Sequence, residues 1–143
     1  MMTLAAGALL ALAAVTTDPV LVQAPDSPVR LDRAVVVTTD GNPPVLIYAA
    51  TNLTDNELEQ FTVLVFIFDA QGTLKARQVA PGRRTLKAHE TKSSAMILDG
   101  FPIEPTFFIV AGVNQAQRAE TETWWRSDLQ AAAEGAAAKR QKK

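Results

Sequence analysis

Few side chains in this sequence could do chemistry. There is a single histidine, His89, set between Ala88 and Glu90, and there is no cysteine. Lack of cysteine excludes disulfides, thiolate zinc sites, iron–sulfur clusters, cysteine nucleophiles and lipid attachment through cysteine. With one histidine, a blue-copper site, a two-histidine metal site and a Cys–His pair are excluded as well. His89 therefore reads as a solvated loop residue. Asp55, Glu57 and Glu59 cluster on a polar stretch and could contribute to a Ca²⁺ site, which takes about six to eight oxygens, but the EF-hand pattern with its central glycine is absent. Asp99, Glu104, Glu120 and Glu122 include carboxylate pairs of the kind glycosidases use, a pattern that any chain of this size supplies. Ser27, Ser93, Ser94 and Ser127 lack a Gly-x-Ser-x-Gly setting, and there is no glycine-rich phosphate loop. Asn52-Leu53-Thr54 is a glycosylation sequon, which matters only in a eukaryotic secretory pathway. The expectation is a non-enzyme with no catalytic residues, no metal and no cofactor. A carboxylate-dependent hydrolase is the alternative from another class, and it requires two convergent acids in a pocket.

The elements that would position any such site are those of one domain. The chain has 143 residues, of which 48% are hydrophobic, too many for a disordered chain. Charged residues make up 20%, with 14 basic against 15 acidic. This balance creates no global field toward nucleic acid or an anionic membrane. At the N-terminus, Leu4–Val15 is an unbroken apolar run, too short for a bilayer span of about 20 residues. It passes through Thr16-Thr17-Asp18-Pro19 to Val22-Gln23-Ala24, a small-residue cleavage pattern. Residues 1–24 accordingly read as a signal peptide, although no Lys or Arg precedes the apolar run.

From Pro25 the chain alternates short extended runs with turn residues. Strands are expected over Val29–Thr38, Pro44–Asn52, Gln60–Asp69, Thr73–Val79, Glu90–Leu98, Thr106–Asn114 and Glu120–Arg126. Asp40-Gly41-Asn42-Pro43, Ala70-Gln71-Gly72 and Asp99-Gly100 are turn signals. No amphipathic helix lies between the runs, so a parallel sheet with helical crossovers has no room. The pattern predicts an all-β, seven-stranded antiparallel immunoglobulin-like sandwich over residues 25–128. Residues 129–143 form an Ala-rich tail or short helix ending Lys139-Arg140-Gln141-Lys142-Lys143. That basic terminus could touch an acidic membrane surface or simply solubilise the chain.

Asn52–Gly72 followed by Leu86–Thr91 resembles the small bacterial extracytoplasmic domains called FxLYD-like. In those an Asn opens a loop, a strand ends Phe-x-Leu-Tyr-Asp before a Gly turn, and a Leu-Lys-Pro-Gly-Glu-Thr segment follows later. Here Val65-Phe66-Ile67-Phe68-Asp69, Gly72 and Leu86-Lys87-Ala88-His89-Glu90-Thr91 stand at those places. Val65, Phe68 and Ala88-His89 depart from the pattern. The resemblance implies the immunoglobulin-like sandwich and an envelope setting, and no chemistry.

Two strands break the inside-apolar, outside-polar rule of antiparallel sheets. In Gln60–Asp69, Phe61, Val63, Val65 and Ile67 form one face, and Leu64, Phe66 and Phe68 the other. In Thr106–Asn114, Phe107, Ile109, Ala111 and Val113 oppose Phe108 and Val110. Trp124 and Trp125 point to opposite faces of the last strand. An interaction face of Leu64, Phe66, Phe68, Phe108, Val110 and one of Trp124 and Trp125 is therefore expected on the outer side of one sheet. Three occupants suit it: the chain's own tail or N-terminal segment, a protein partner or second copy, or an apolar ligand or peptide. Together these features predict an exported periplasmic or extracellular module for protein binding or assembly in the cell envelope. It would have no nucleic-acid partner and no membrane span once the leader is removed.

Overall fold

The computed structural model describes residues 14–80, 85–99, 103–118 and 123–142. The β-branched and aromatic runs become strands, and the turn residues end them. In chain order these are β1 (Val15–Thr17), β2 (Val20–Leu21), β3 (Val29–Thr38), β4 (Val45–Asn52), β5 (Leu58–Phe68), β6 (Leu74–Ala80), β7 (Thr91–Ile97), β8 (Phe108–Arg118) and β9 (Thr123–Trp125), followed by helix α1 (Leu129–Gln141). One sheet has the order β1-β3-β4-β7. The other has the order β2-β8-β5-β6, with β9 also paired to β8. The expected strands correspond to β3 through β9, and β1 and β2 are additional. The arginine-containing loop at 81–84, the segment 100–102 and Glu120 and Glu122 lie outside the described residues.

A common core joins the sheets. Val29, Leu31, Val36, Leu46 and Tyr48 from one side meet Phe61, Val63, Val65, Ile67, Ile109 and Val113 from the other. Strand β5 pairs with both β6 and β8. In β3 a bulge between Leu31 and Arg33 reverses the alternation. Val29 and Leu31 point inward, but beyond the bulge it is Val36 that is buried, with Arg33, Val35 and Val37 on the outer side.

The N-terminal segment belongs to this architecture. Strand β1 pairs antiparallel with the end of β3, Val15 opposite Thr38. The chain then crosses to the second sheet through Asp18-Pro19, and β2 runs parallel to β8, Val20 opposite Val110. Val22 N–H donates to the Ala111 carbonyl at 3.0 Å, and Ala24 is buried. The outer edge of β8 is thus completed by two segments. Strand β2 takes one half and β9 the other, where Gln115 faces Trp125. Arg126 spans the joint: its N–H donates to the Asn114 carbonyl, and its Nη1 donates to the Val22 carbonyl at 2.8 Å. A leader boundary after Ala24 would divide the folded unit, because Val15–Ala24 supplies edge pairing that β8 and β3 otherwise lack.

A chain beginning at Ala14 should melt within a few degrees of the full chain. A chain beginning at Pro25 should melt at least about 10 °C lower, reflecting a few kcal/mol of lost pairing and burial. Thermal denaturation of the two truncations checks this, and equal midpoints would contradict it.

Candidate functional site

Helix α1 lies on the outer face of the β5–β8 sheet. Leu129, Ala133 and Ala137 recur at helical spacing and pack on Phe66, Phe68 and Val110, with Leu64 and Phe108 at the margin. Phe66 and Val110 have no exposed surface and Phe68 has 1%. Of the three occupants that suit this face, the chain's own tail is the one found on it. Alanines make the close approach possible, and Gly112 of β8 completes it. A Cβ on Gly112 would stand 2.6 Å from Leu129 Cδ1 and 3.1 Å from the Val22 carbonyl oxygen. Further contacts hold the helix along its length. Arg77 Nη1 donates to Gln130 Oε1 at 2.7 Å, and Gln141 Nε2 donates to the Ala70 carbonyl at 2.9 Å. The Arg140 guanidinium sits 4.7 Å from the Phe108 ring centre. Lys139 and Arg140 in the last turn also complement the helix dipole. At the other end Asp128 forms an ion pair with Arg126, which holds its carboxyl below the usual range.

The remaining candidates separate. Trp124 packs against the shared core and donates Nε1–H to Asp26 Oδ2 at 3.1 Å. Trp125 is 67% exposed. His89 takes a left-handed backbone, φ 60°, at the third position of a turn closed by Glu90 N–H to the Lys87 carbonyl. That conformation favours glycine, the residue that the resembled segment carries there. Its Nε2 meets Asp55 Oδ1 at 2.7 Å, both side chains being solvent-exposed. Among the described residues no three His, Cys, Asp or Glu side chains gather as a metal site. Asp99 and Glu104 are exposed on loops.

Asn52 has a structural role that its sequon obscures. Its buried side chain donates to the carbonyls of Asn56, Leu86 and Lys87 at 2.7, 3.1 and 3.2 Å. Its Oδ1 accepts from Thr54 N–H and Oγ1–H. One amide thereby ties the end of β4, the following loop and the Leu86–Thr91 segment together, with Nδ2 sealed from solvent.

The apolar surface that the described residues leave uncovered lies on the opposite sheet. Val35, Ile47 and Ala95 stand side by side across β3, β4 and β7, and Val37, Val45 and Ile97 form the adjacent rung. Ile47 is 42% and Ile97 58% exposed. A depression of about 490 Å³ over Ala49 is bounded by Arg33, Val35, Ile47 and Ser93. At the far end of this face Asp32 accepts hydrogen bonds from Thr51 Oγ1 and from Arg30. Partial burial raises the Asp32 pKa, but the Thr51 and Arg30 hydrogen bonds and the charges of Arg30 and Arg33 outweigh it and leave it lowered. Sequence reasoning missed this surface because strict alternation in β3 would turn Val35 and Val37 inward. The Val35–Val37 cluster was the available signal.

A second concavity, about 690 Å³, runs between α1 and β2. Val22, Phe108, Ala132, Gly135 and Ala136 line it, with Lys139 and Arg140 at its mouth. Among the described residues no helix is long and apolar enough to cross a membrane. Comparison with known proteins finds no matching family model, no matching curated protein and no matching solved structure.

Asn52→Ala should cost about 3 kcal/mol, since it removes the five hydrogen bonds of a buried amide and unties the loop. Chemical denaturation measures this, and a loss under about 1 kcal/mol would contradict the network's role.

Proposed function

We propose that this chain is an exported, non-catalytic module of immunoglobulin-like type, related to the FxLYD-like domains, that serves protein binding or assembly in the cell envelope. The observation that carries the reading is the uncovered apolar face of β3, β4 and β7. Ile47 and Ile97 sit there beside Val35, Val37 and Val45 with no element of the described residues over them, whereas the equally apolar face of β5 and β8 has its own helix. Described residues that cover one such face and leave the other open give a surface suited to a protein partner. The strand order supports the immunoglobulin-like type, with β3, β4 and β7 in one sheet and β6, β5, β8 and β9 in the other. The test is affinity capture from an envelope extract on the immobilised chain, wild type against Ile47→Glu. Material retained by wild type and lost from a variant with the same melting temperature is expected. Equal retention by both would overturn the reading.

The groove beside α1 favours a second reading, an apolar ligand carrier. Gly135 costs about 1 kcal/mol against alanine in a helix interior, and it interrupts an alanine run where it lines the groove. Open space surrounds the position where its Cβ would be. With Lys139 and Arg140 at the mouth, an anionic amphiphile fits. A fluorescent long-chain fatty acid should bind wild type and be weakened about tenfold by Gly135→Leu. Undiminished binding would discard this reading.

A further inference from the structure

We infer that the partner of the β3–β4–β7 face is a second copy of this chain, stacked face to face with its strands antiparallel. This inference rests on the assembly reading above and names the occupant of that same surface.

Charge is the first argument. The face has an apolar middle and ends of opposite sign. Arg30 and Arg33 lie outward on β3 at one end, where Asp32 offsets one of them. At the other end stand Asp40, in the exposed turn between β3 and β4, and Asp99, exposed just beyond β7. The rung of Val35, Ile47 and Ala95 lies between these ends, and along β7 Ala95 is midway between Thr91, at the level of Arg30, and Asp99. A two-fold axis in the plane of the interface, perpendicular to the strands and near this rung, brings each basic end over the other copy's acidic end. Like charges would meet if the axis ran along the strands, so charge selects the antiparallel arrangement.

Shape and edges agree with that choice. The depression over Ala49 between Arg33 and Ile47 can receive an aliphatic side chain from the facing copy. Self-association through the open edge of β7 is disfavoured, because Lys92 sits on that strand and a charged side chain there opposes edge-to-edge pairing. The face is therefore the better self-complementary surface.

The test is sedimentation velocity of the purified full chain at concentrations up to about 100 μM. Wild type should be a dimer, and Ile47→Glu a monomer with an unchanged melting temperature. Arg30→Glu and Asp40→Arg should each weaken the dimer about tenfold or more, because the axis lays β3 over β3 and each change sets like charges opposite one another. An equimolar mixture of those two variants should restore the dimer, since opposite charges then face each other at both ends. A wild-type monomer across this range overturns the inference. A dimer that Ile47→Glu disrupts but that the mixed charge variants fail to restore overturns the antiparallel stacking. If wild type is monomeric while envelope capture stays dependent on Ile47, the self-association fails and the assembly reading survives. If capture is lost too, both fall.

Discussion

A strand whose two faces are both apolar has to be buried twice. Strands β5 and β8 are adjacent, and their facing pairs, Phe66 with Val110 and Phe68 with Phe108, put aromatic and aliphatic groups on the side away from the sandwich core. A two-layer fold offers no cover there. The protein adds a third layer, α1, on that side. Much of the rest follows from this need. The helix is alanine-rich because it must lie close to large side chains already in place. Gly112 is a glycine because Leu129 takes the room a side chain would use. The loop between β9 and α1 is short, which places Arg126 at the joint between the terminal strands.

The same physical chemistry sets what could be read from residues alone. Strands β5 and β8, their shared core face and their surplus face were legible, because alternation is a strong signal in long apolar strands. The tail was one of three candidate occupants of the surplus face, but its residues did not single it out. Alanine is weakly apolar, and an Ala-rich helix such as Leu129–Gln141 advertises no side of its own. The glycine at the centre of an otherwise apolar strand was the one hint, since a strand glycine marks a close approach. The uncovered face was hidden by a single irregularity. One bulge after Leu31 turns Val35 and Val37 outward, and no residue type announces it. The segment before Pro25 was obscured for another reason. Short, apolar and rich in small residues, it has the composition of a leader, and nothing in it announces that Val22 fits beside Gly112 of β8 or that Ala24 is buried.

The candidate site was harder to read than the fold because it contains no reactive group. His89 stands out as the lone histidine, but its place is a turn with a left-handed backbone and an exposed partner. Asn52 looks like an acceptor for a sugar and is a fully engaged structural amide. What distinguishes the surface of β3, β4 and β7 is only that none of the described residues covers it, a property of the assembled sheets.

The edge of β8 also governs when the molecule can close. Its two halves are supplied by Val20–Leu21 and Thr123–Trp125, from opposite ends of the described chain. A polypeptide emerging from the ribosome holds the first of these early and must keep it unpaired until β8 has been made. The helix that seals Phe66 and Phe68 comes last of all. Nucleation can begin in the β3–β4 hairpin, but closure is deferred to the end of synthesis, and such distant pairings are slow to form. A chain built this way keeps one edge of its second sheet open for most of its time in the making.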